Sequence, residues 1–191
     1  GAVRIFLNGI LQFDDARLQI TLGFEILGAL DVFLLNALQA VMETEQDIMH
    51  YYLDAVKSIK NSSARELIEV LAEEEKIHRN NIVIIHKSLR DNEPWPDMSG
   101  KPVSKRKFKD LLNTTCRAIG IDGASNAIPA HVLETAIQKE EKSYSLYNEK
   151  ARCSNSESEK SFYTALALEE REHFLTLVDF KQYIDNPEGW F

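Results

Sequence analysis

The fold is decided by a short motif, AEEEKIH at residues 72–78, which returns as ALEEREH at residues 167–173. In each copy an Ala, a Glu three residues later and a His three residues after that lie on one face of a helix. A Glu and a His spaced in this way can offer one metal ion an oxygen and a nitrogen atom. The sequence therefore contains two candidate metal-ligating pairs, Glu75 with His78 and Glu170 with His173.

The motif belongs to a longer internal repeat with an offset of 95 residues. In each half a further Glu precedes the Glu-x-x-His pair by 30 residues, and a Tyr follows that Glu by seven. The chain therefore reads as two helix pairs of common ancestry. The residues that align at this offset include Glu45 with Glu140, Tyr52 with Tyr147, Glu75 with Glu170, and His78 with His173.

Four Glu and two His form the ligand set of carboxylate-bridged two-metal bundles, in which two helices give one Glu each and two give Glu-x-x-His. Each of the six lies in an apolar helical stripe, where Leu or Ile would otherwise be expected. Four buried carboxylates would destabilise a core without cations, whereas two divalent cations would stabilise them. We therefore predict that the metal ligands are Glu45, Glu75, His78, Glu140, Glu170 and His173.

Other ligand-type residues fit this pattern less well. Asp47 and His50 have ligand spacing but no counterpart in the second half, so we interpret them as solvated surface. Tyr52 and Tyr147 lie two turns after the first ligand Glu of each half. They either fill the core, donate a hydrogen bond to a ligand Glu across the bundle, or relay protons or electrons. The acidic residues beside the stripes are predicted to be surface charge: Glu73, Glu74, Glu141, Glu169 and Glu172.

The predicted ligand types also indicate which metals and which chemistry the site suits. Carboxylate-rich sites with one His per metal favour iron or manganese, since sites that prefer zinc use more nitrogen or sulfur. A metal pair bridged by Glu can cycle between reduced and oxidised states. That cycle allows two-electron chemistry on dioxygen or peroxide.

Helical periodicity predicts four long helices arranged as two antiparallel pairs. Residues 61–63 and 154–156 make the short turns within the pairs, and Ser63 is the predicted N-cap of the second helix. Residues 91–128 form one long crossover between helices 2 and 3, with a short helix predicted at 104–119. The predicted fold is therefore an all-α four-helix bundle.

The N-terminal residues follow a different pattern. From Arg17 to Ile26, polar and apolar residues alternate with a period of two, which predicts a strand. With turns at Asn8-Gly9 and Asp14-Asp15, this region is interpreted as a β-hairpin or, failing that, an irregular arm. An exposed apolar strand edge would pair with a second subunit, so we expect a homodimer. The predicted organisation is an extension, residues 1–30, followed by a bundle domain, residues 31–191.

Composition narrows the class of protein. The chain has 191 residues and a formal net charge of −8, which argues against a nucleic-acid surface and against binding to anionic membranes. It has no uncharged apolar run of 18 residues and no recognisable signal peptide. Cys116 and Cys153 are far apart and form no C-x-x-C motif, so a zinc knuckle or a four-cysteine iron centre is excluded. A reducing, cytoplasmic setting is expected.

These motifs resemble those of the rubrerythrin branch of the ferritin-like superfamily. VMETE at residues 41–45 with Tyr52, and AIQKE at 136–140 with Tyr147, are similar to the family's first and third helices. The two Ala-x-x-Glu-x-x-His runs resemble its second and fourth helices. The closing YIDNPEGWF at residues 183–191 is similar to the tail of short rubrerythrin-like proteins. The resemblance covers about residues 31–191 and implies a ferritin-like bundle.

The resemblance also implies a function. The six predicted ligands would hold two iron ions, for which manganese or zinc could substitute. Glu75 and Glu170 would each partner the His of their own helix, and Glu45 and Glu140 would bridge or cap the metals. Rubrerythrins reduce hydrogen peroxide with electrons from a small redox protein. We therefore expect an oxidoreductase that acts on hydrogen peroxide or dioxygen in oxidative-stress defence.

Two departures from the family pattern keep alternatives open. The rubredoxin-like module is missing, so electrons would come from a separate donor, such as a rubredoxin-type protein, or not at all. The additional Glu that follows the third-helix ligand by three residues in classical rubrerythrins is Ser143 here. The alternatives are a non-catalytic protein that oxidises and holds Fe(II), and a metal-free scaffold that kept the spacing by descent.

Overall fold

The computed structural model describes residues 16–98, 108–154 and 156–190, and within these ranges it omits the side chains of residues 16–31 and 122. The described backbone contains no strand, which confirms the predicted all-α fold. The five helices are α1 (Ala16–Val56), α2 (Ser62–Arg90), α3 (Phe108–Gly123), α4 (Ala130–Cys153) and α5 (Glu157–Asp185). Short 3-10 segments follow α3 and α5, at Ala124–Asn126 and Pro187–Trp190.

The predicted N-terminal strand is wrong where the structure describes it. Helix α1 runs without interruption from Ala16 to Val56 and so includes the alternating stretch at residues 17–26. Helix α1 contains no proline and is rich in Leu, Ala, Gln and Glu, which form helices well, and a few alternations of polarity do not outweigh them. The two turns predicted at residues 8–9 and 14–15 lie outside the described residues.

The chain separates into two compact units after Leu38. The boundary expected after residue 30 therefore falls inside a continuous helix, and the division into an extension and a bundle domain at that point stays a prediction. All six predicted ligands lie in the unit from Gln39 onward. In that unit, the second part of α1 together with α2, α4 and α5 supplies the four long helices of the bundle.

Polar side chains define where α2 and α5 begin. Asn61 is the N-cap of α2, and its side-chain oxygen accepts hydrogen bonds from the backbone N–H groups of Ser63 and Ala64, both at 3.0 Å. The predicted N-cap at Ser63 is therefore wrong, because Asn61 already satisfies the free N–H groups of the first turn. Ser156 caps α5 in the same way by accepting from the N–H of Glu159 at 3.2 Å.

The long crossover between α2 and α4, which the sequence predicts, contributes α3 to the core. Phe108, Leu112 and Cys116 of α3 are buried among side chains of the bundle. Helix α3 is broken at Gly120, whose φ of +67° is readily adopted only by glycine. The hydroxyl of Tyr183, on α5, donates to the carbonyl oxygens of Cys116 at 3.1 Å and Gly120 at 2.7 Å. This contact fixes the end of α3 against α5.

The interior of the bundle is apolar at both ends and polar in the middle. Leu67, Leu71 and Phe180 are fully buried, as the helical stripes predict. The six predicted ligands interrupt these stripes and are buried as well. Within the described residues, no helix is long and apolar enough to cross a membrane.

Candidate metal centre

The structure brings all six predicted ligands together in the middle of the bundle. Each has a relative exposure of 1% or less. They form two overlapping groups in which one ligand atom from each residue lies within 4.8 Å of the others. The first group contains Glu45, Glu75, His78 and Glu170, and the second contains Glu75, Glu140, Glu170 and His173.

Glu75 and Glu170 are common to both groups, so they can bridge two metal ions. The two oxygens of Glu75 face different histidines: Oε2 lies 3.5 Å from Nδ1 of His78, and Oε1 lies 3.0 Å from Nδ1 of His173. Oε1 of Glu170 lies 2.8 Å from Nδ1 of His78, which is on the opposite helix. The bridging residues therefore do more than partner the His of their own helix.

Glu45 and Glu140 each belong to one group only. Oε2 of Glu45 lies 3.6 Å from Nδ1 of His78, and Oε2 of Glu140 lies 3.6 Å from Nδ1 of His173. Of the two roles that the resemblance allows them, bridging or capping, this geometry favours capping, one metal position each.

The two histidine rings stack across the pseudo-symmetric centre but have different surroundings. Their centroids are 5.5 Å apart with an interplanar angle of 15°. Nε2 of His78 lies 2.7 Å from Oε2 of Glu169, a hydrogen bond that turns Nδ1 of the ring toward the cluster. On the other side, the ring of Phe108 packs edge-on against His173, with centroids 4.8 Å apart. One position is therefore bordered by a carboxylate and the other by an aromatic ring.

The unsatisfied polar atoms of the cluster fit a pair of cations. Every carboxylate oxygen of the four glutamates, with the exception of Oε1 of Glu140, lacks a hydrogen-bond partner among the described residues, and so do the Nδ1 atoms of both histidines. Buried polar atoms are almost always satisfied in native proteins, and an unpaired buried charge is expensive. Convergent carboxylate oxygens and imidazole nitrogens without partners are the donor set that divalent metals take.

Burial and the close approach of the ligands to one another also determine which of them are protonated when no metal is bound. Burial raises the pKa of Glu45 and of Glu170 well above the ordinary 4.5, and the neighbouring carboxylates raise that of Glu170 further. Burial would also raise the pKa of Glu75, but contacts with His173 and His78 lower it below the ordinary value. Burial opposes charging the histidines, yet the surrounding carboxylates raise the pKa of both well above 6.5. The metal-free cluster therefore holds protons that metal binding must displace.

The two tyrosines of the repeat differ in their contacts. The hydroxyl of Tyr52 donates a hydrogen bond to Oε1 of Glu140, on the opposite half, a contact that fits both a core tyrosine and a group that orients a ligand. Burial and the charge of Glu140 raise the pKa of Tyr52, so its hydroxyl keeps its proton. The hydroxyl of Tyr147 is buried and has no hydrogen-bond partner among the described residues, and its ring stacks on that of Tyr163 instead.

Two glutamates predicted to be surface charge are not. Glu74 is 3% exposed, and Glu169 is partly buried and hydrogen-bonded to His78. The contact of Glu169 joins α5 to α2, so no spacing within one helix could have indicated it. The repeat did carry a signal, because the offset of 95 residues aligns Glu74 with Glu169. Asp47 and His50, by contrast, are exposed as predicted and belong to neither ligand group.

Comparison with known proteins agrees with the geometry of the site. The family model for rubrerythrin matches residues 36–181, a range that includes all six predicted ligands. No curated protein and no solved structure gives a significant match. Because the matched range covers most of the chain, from within α1 to near the end of α5, the chain belongs to the rubrerythrin family.

Proposed function

We propose that this protein is a di-iron carboxylate oxidoreductase that reduces hydrogen peroxide or dioxygen in oxidative-stress defence. One observation carries the proposal: two buried ligand groups share Glu75 and Glu170. Shared carboxylates place two metal ions close enough to act as one unit, and each position also receives one His and one capping Glu. The donor set of oxygens with a single nitrogen per metal favours iron or manganese.

When bound, a pair of reduced iron ions supplies two electrons to the oxidant. The chain itself holds the ions and controls their surroundings. Glu45 and Glu140 would each compensate the charge of one bound metal, while Glu75 and Glu170, which belong to both ligand groups, would compensate both. Because all six ligands are buried, bulk water is kept from the reduced centre, and charges in such a dry site interact strongly.

Two further residues hold ligands in place. The Tyr52 hydroxyl fixes one oxygen of Glu140, which leaves Oε2 of that carboxylate directed at the cluster. Glu169 fixes the tautomer of His78 by accepting from its Nε2, so that Nδ1 is free to bind metal. Hydrogen bonds of this kind hold the ligand atoms in position before the metal arrives.

The proposed partners follow from the same chemistry. Each turnover oxidises the metal pair, so a separate electron donor, such as a small rubredoxin-type protein, must reduce it again. We place the protein in the cytoplasm and propose that it binds neither nucleic acid nor membrane. The homodimer expected from an exposed strand edge has lost that argument, because residues 17–26 are helical. The formal net charge of −8 supports the absence of a nucleic-acid surface.

The first test is metal content combined with peroxide turnover. Protein purified from iron-supplemented cells should contain about two irons per chain, and its reduced form should be oxidised by hydrogen peroxide. A Glu75→Ala, Glu170→Ala variant should lose both properties. A matched control, Glu69→Ala with Glu172→Ala, removes one exposed glutamate from each of the same two helices and should keep both. Iron in neither the wild type nor the control would contradict the di-iron assignment.

An iron-handling protein is the second candidate, favoured by one feature of the site. Ser143 lies one turn after Glu140 and is buried, at the position where classical rubrerythrins place an additional carboxylate. The movement of iron associated with that additional carboxylate in classical rubrerythrins has no ligand at Ser143, which favours a site that holds iron over one that cycles rapidly. Repeated peroxide turnover with an external reductant supports the oxidoreductase, whereas uptake that stops at a fixed stoichiometry supports iron handling.

A further inference from the structure

A cavity of about 410 Å³ lies beside the His78 side of the metal centre. It is bordered by α2, by the segment that follows α2, and by α5. His78 and Glu169 both line it, and they are hydrogen-bonded to each other at 2.7 Å. A group bound at this end of the cavity lies one imidazole ring away from the metal positions.

The walls of the cavity are largely apolar. Trp95, Phe162, Ala165 and Leu166 line it, and the ring of Trp95 meets that of Phe162 edge-on, with centroids 5.9 Å apart. Nε1 of Trp95 is buried and has no hydrogen-bond partner among the described residues. This N–H group is not exposed to the cavity, so Trp95 contributes the apolar part of its ring to the wall.

The cavity is much larger than hydrogen peroxide requires. A water molecule occupies about 30 Å³ of liquid, and hydrogen peroxide roughly twice that. Cavities of roughly 300–1,000 Å³ with apolar walls and a few polar groups are typical sites for small organic molecules. The size and the aromatic wall therefore fit a substrate that carries an organic group.

We propose that this pocket binds the organic group of an organic hydroperoxide, R–OOH, in which R is aromatic or branched. The inference rests on the proposed peroxide reduction and names a wider substrate class for it. In the reaction the O–O bond breaks, the reduced metal pair gives two electrons, and two protons are taken up. The products are the alcohol R–OH and water.

The test compares two oxidants in single turnover. Iron-loaded protein is reduced without oxygen and mixed with cumene hydroperoxide or with hydrogen peroxide, and the oxidation of the iron and the amount of alcohol formed are followed. Both should oxidise the centre.

A larger side chain in the pocket should slow the reaction with the organic hydroperoxide but not the reaction with hydrogen peroxide. Ala165→Phe fills the pocket from α5 and should slow cumene hydroperoxide at least tenfold while changing the rate with hydrogen peroxide less than twofold. Leu168→Phe is the matched control, because Leu168 lies on the same helix but is 59% exposed and does not line the pocket. Ser161→Phe, which enters the pocket from an exposed position, serves as a second plug if Ala165→Phe does not fold.

Binding of an organic molecule to the pocket can also be measured on metal-free protein, without any reaction. Trp95 and Trp190 are the two tryptophans of the chain, so a Trp190→Phe variant leaves Trp95 as the only indole reporter. Titration of this metal-free variant with 2-phenylpropan-2-ol, the alcohol product, should change the fluorescence of Trp95 in a saturable way. The added Ala165→Phe substitution should abolish the response.

The outcomes distinguish this inference from the proposed function. If hydrogen peroxide oxidises the centre and cumene hydroperoxide does not, the organic substrate class is wrong and peroxide reduction stands. If neither oxidises it, the proposed function is wrong and this inference falls with it. Equal slowing of both oxidants by the plug, or no response of Trp95 to the alcohol, would also overturn the inference.

Discussion

Replacing Glu170 with Gln should stabilise the metal-free protein and at the same time remove its ability to hold two metals. Glu170 is fully buried, and neither of its oxygens has a hydrogen-bond partner among the described residues. Burial and three neighbouring carboxylates raise its pKa. Gln has nearly the same shape without the charge, so it fits the cluster better when no cation is present.

The expected size of the effect follows from the linkage between protonation and folding. A carboxyl group whose pKa is raised in the folded state does not destabilise that state at pH values below its unfolded pKa of 4.5. At higher pH it lowers the free energy of unfolding by about 1.4 kcal/mol per pH unit, until the pH passes the folded pKa. At pH 6 the difference between Glu170→Gln and wild type is therefore up to about 2 kcal/mol, or roughly 4–8 °C in Tm for a chain of this size. Below pH 4.5 the two should melt together.

The assay is thermal unfolding of chelator-treated protein, followed by circular dichroism between pH 4 and pH 7. Glu172→Gln, an exposed change on the same helix, controls for the general loss of a negative charge and should leave Tm unchanged. Metal content after iron loading is measured on the same samples. If Glu170→Gln is no more stable than wild type at pH 6, the metal-free cluster is not strained by its carboxylates, and the physical argument for cations is refuted.

Three further predictions test the groups around the cluster. Tyr52→Phe should lower the free energy of unfolding by about 1–3 kcal/mol, because it leaves a buried oxygen of Glu140 without its hydrogen-bond donor. Tyr147→Phe should leave the free energy of unfolding unchanged or raise it, because the Tyr147 hydroxyl has no hydrogen-bond partner among the described residues. Urea unfolding measures both. Glu169→Ala should weaken metal affinity about 10–100-fold through the loss of the hydrogen bond that orients His78, as measured by competition with a chelator. Metal affinity should rise with pH, because binding displaces protons from carboxyl and imidazole groups whose pKa values are raised, and a pH-indicator dye should record their release.

Each of these predictions can fail in a recognisable way. Equal losses of stability in the two tyrosine variants would show that the hydroxyl contact with Glu140 contributes nothing beyond ring packing. Unchanged affinity in Glu169→Ala would show that packing alone orients His78. Affinity independent of pH would mean that the ligands are already deprotonated in the metal-free protein.

The sequence predicted the centre of this site well because the ligands obey helical spacing and repeat at one offset. Glu45 and Glu140 could be found only through the repeat, since each lies 30 residues from its Glu-x-x-His pair. Their burial was predictable because both lie in apolar stripes. The sequence could not predict which carboxylates bridge the two metal positions and which cap one of them. That choice depends on how far each helix is shifted along the bundle axis relative to the others.

The contacts that distinguish the two halves were not predictable from helical spacing. Glu169 reaches His78 from a different helix, and Phe108 reaches His173 from the crossover. Such contacts depend on tertiary packing, whereas a periodicity describes one helix at a time. The prediction of an N-terminal strand was wrong for a related reason. Alternating polarity over ten residues is a weaker indicator of structure than the helix propensity of the 41-residue segment that contains them.

The crossover gives a reason why two halves of common descent need not remain equivalent. Fusion of two identical helix pairs into one chain requires a linker, and a linker can follow only one path. Here it places Trp95 beside the pocket next to His78 and Phe108 against the ring of His173. The crossover therefore gives each ligand group its own neighbour without any difference between the ligands themselves, and substitutions in the crossover can change the surroundings of one group while those of the other stay as they are.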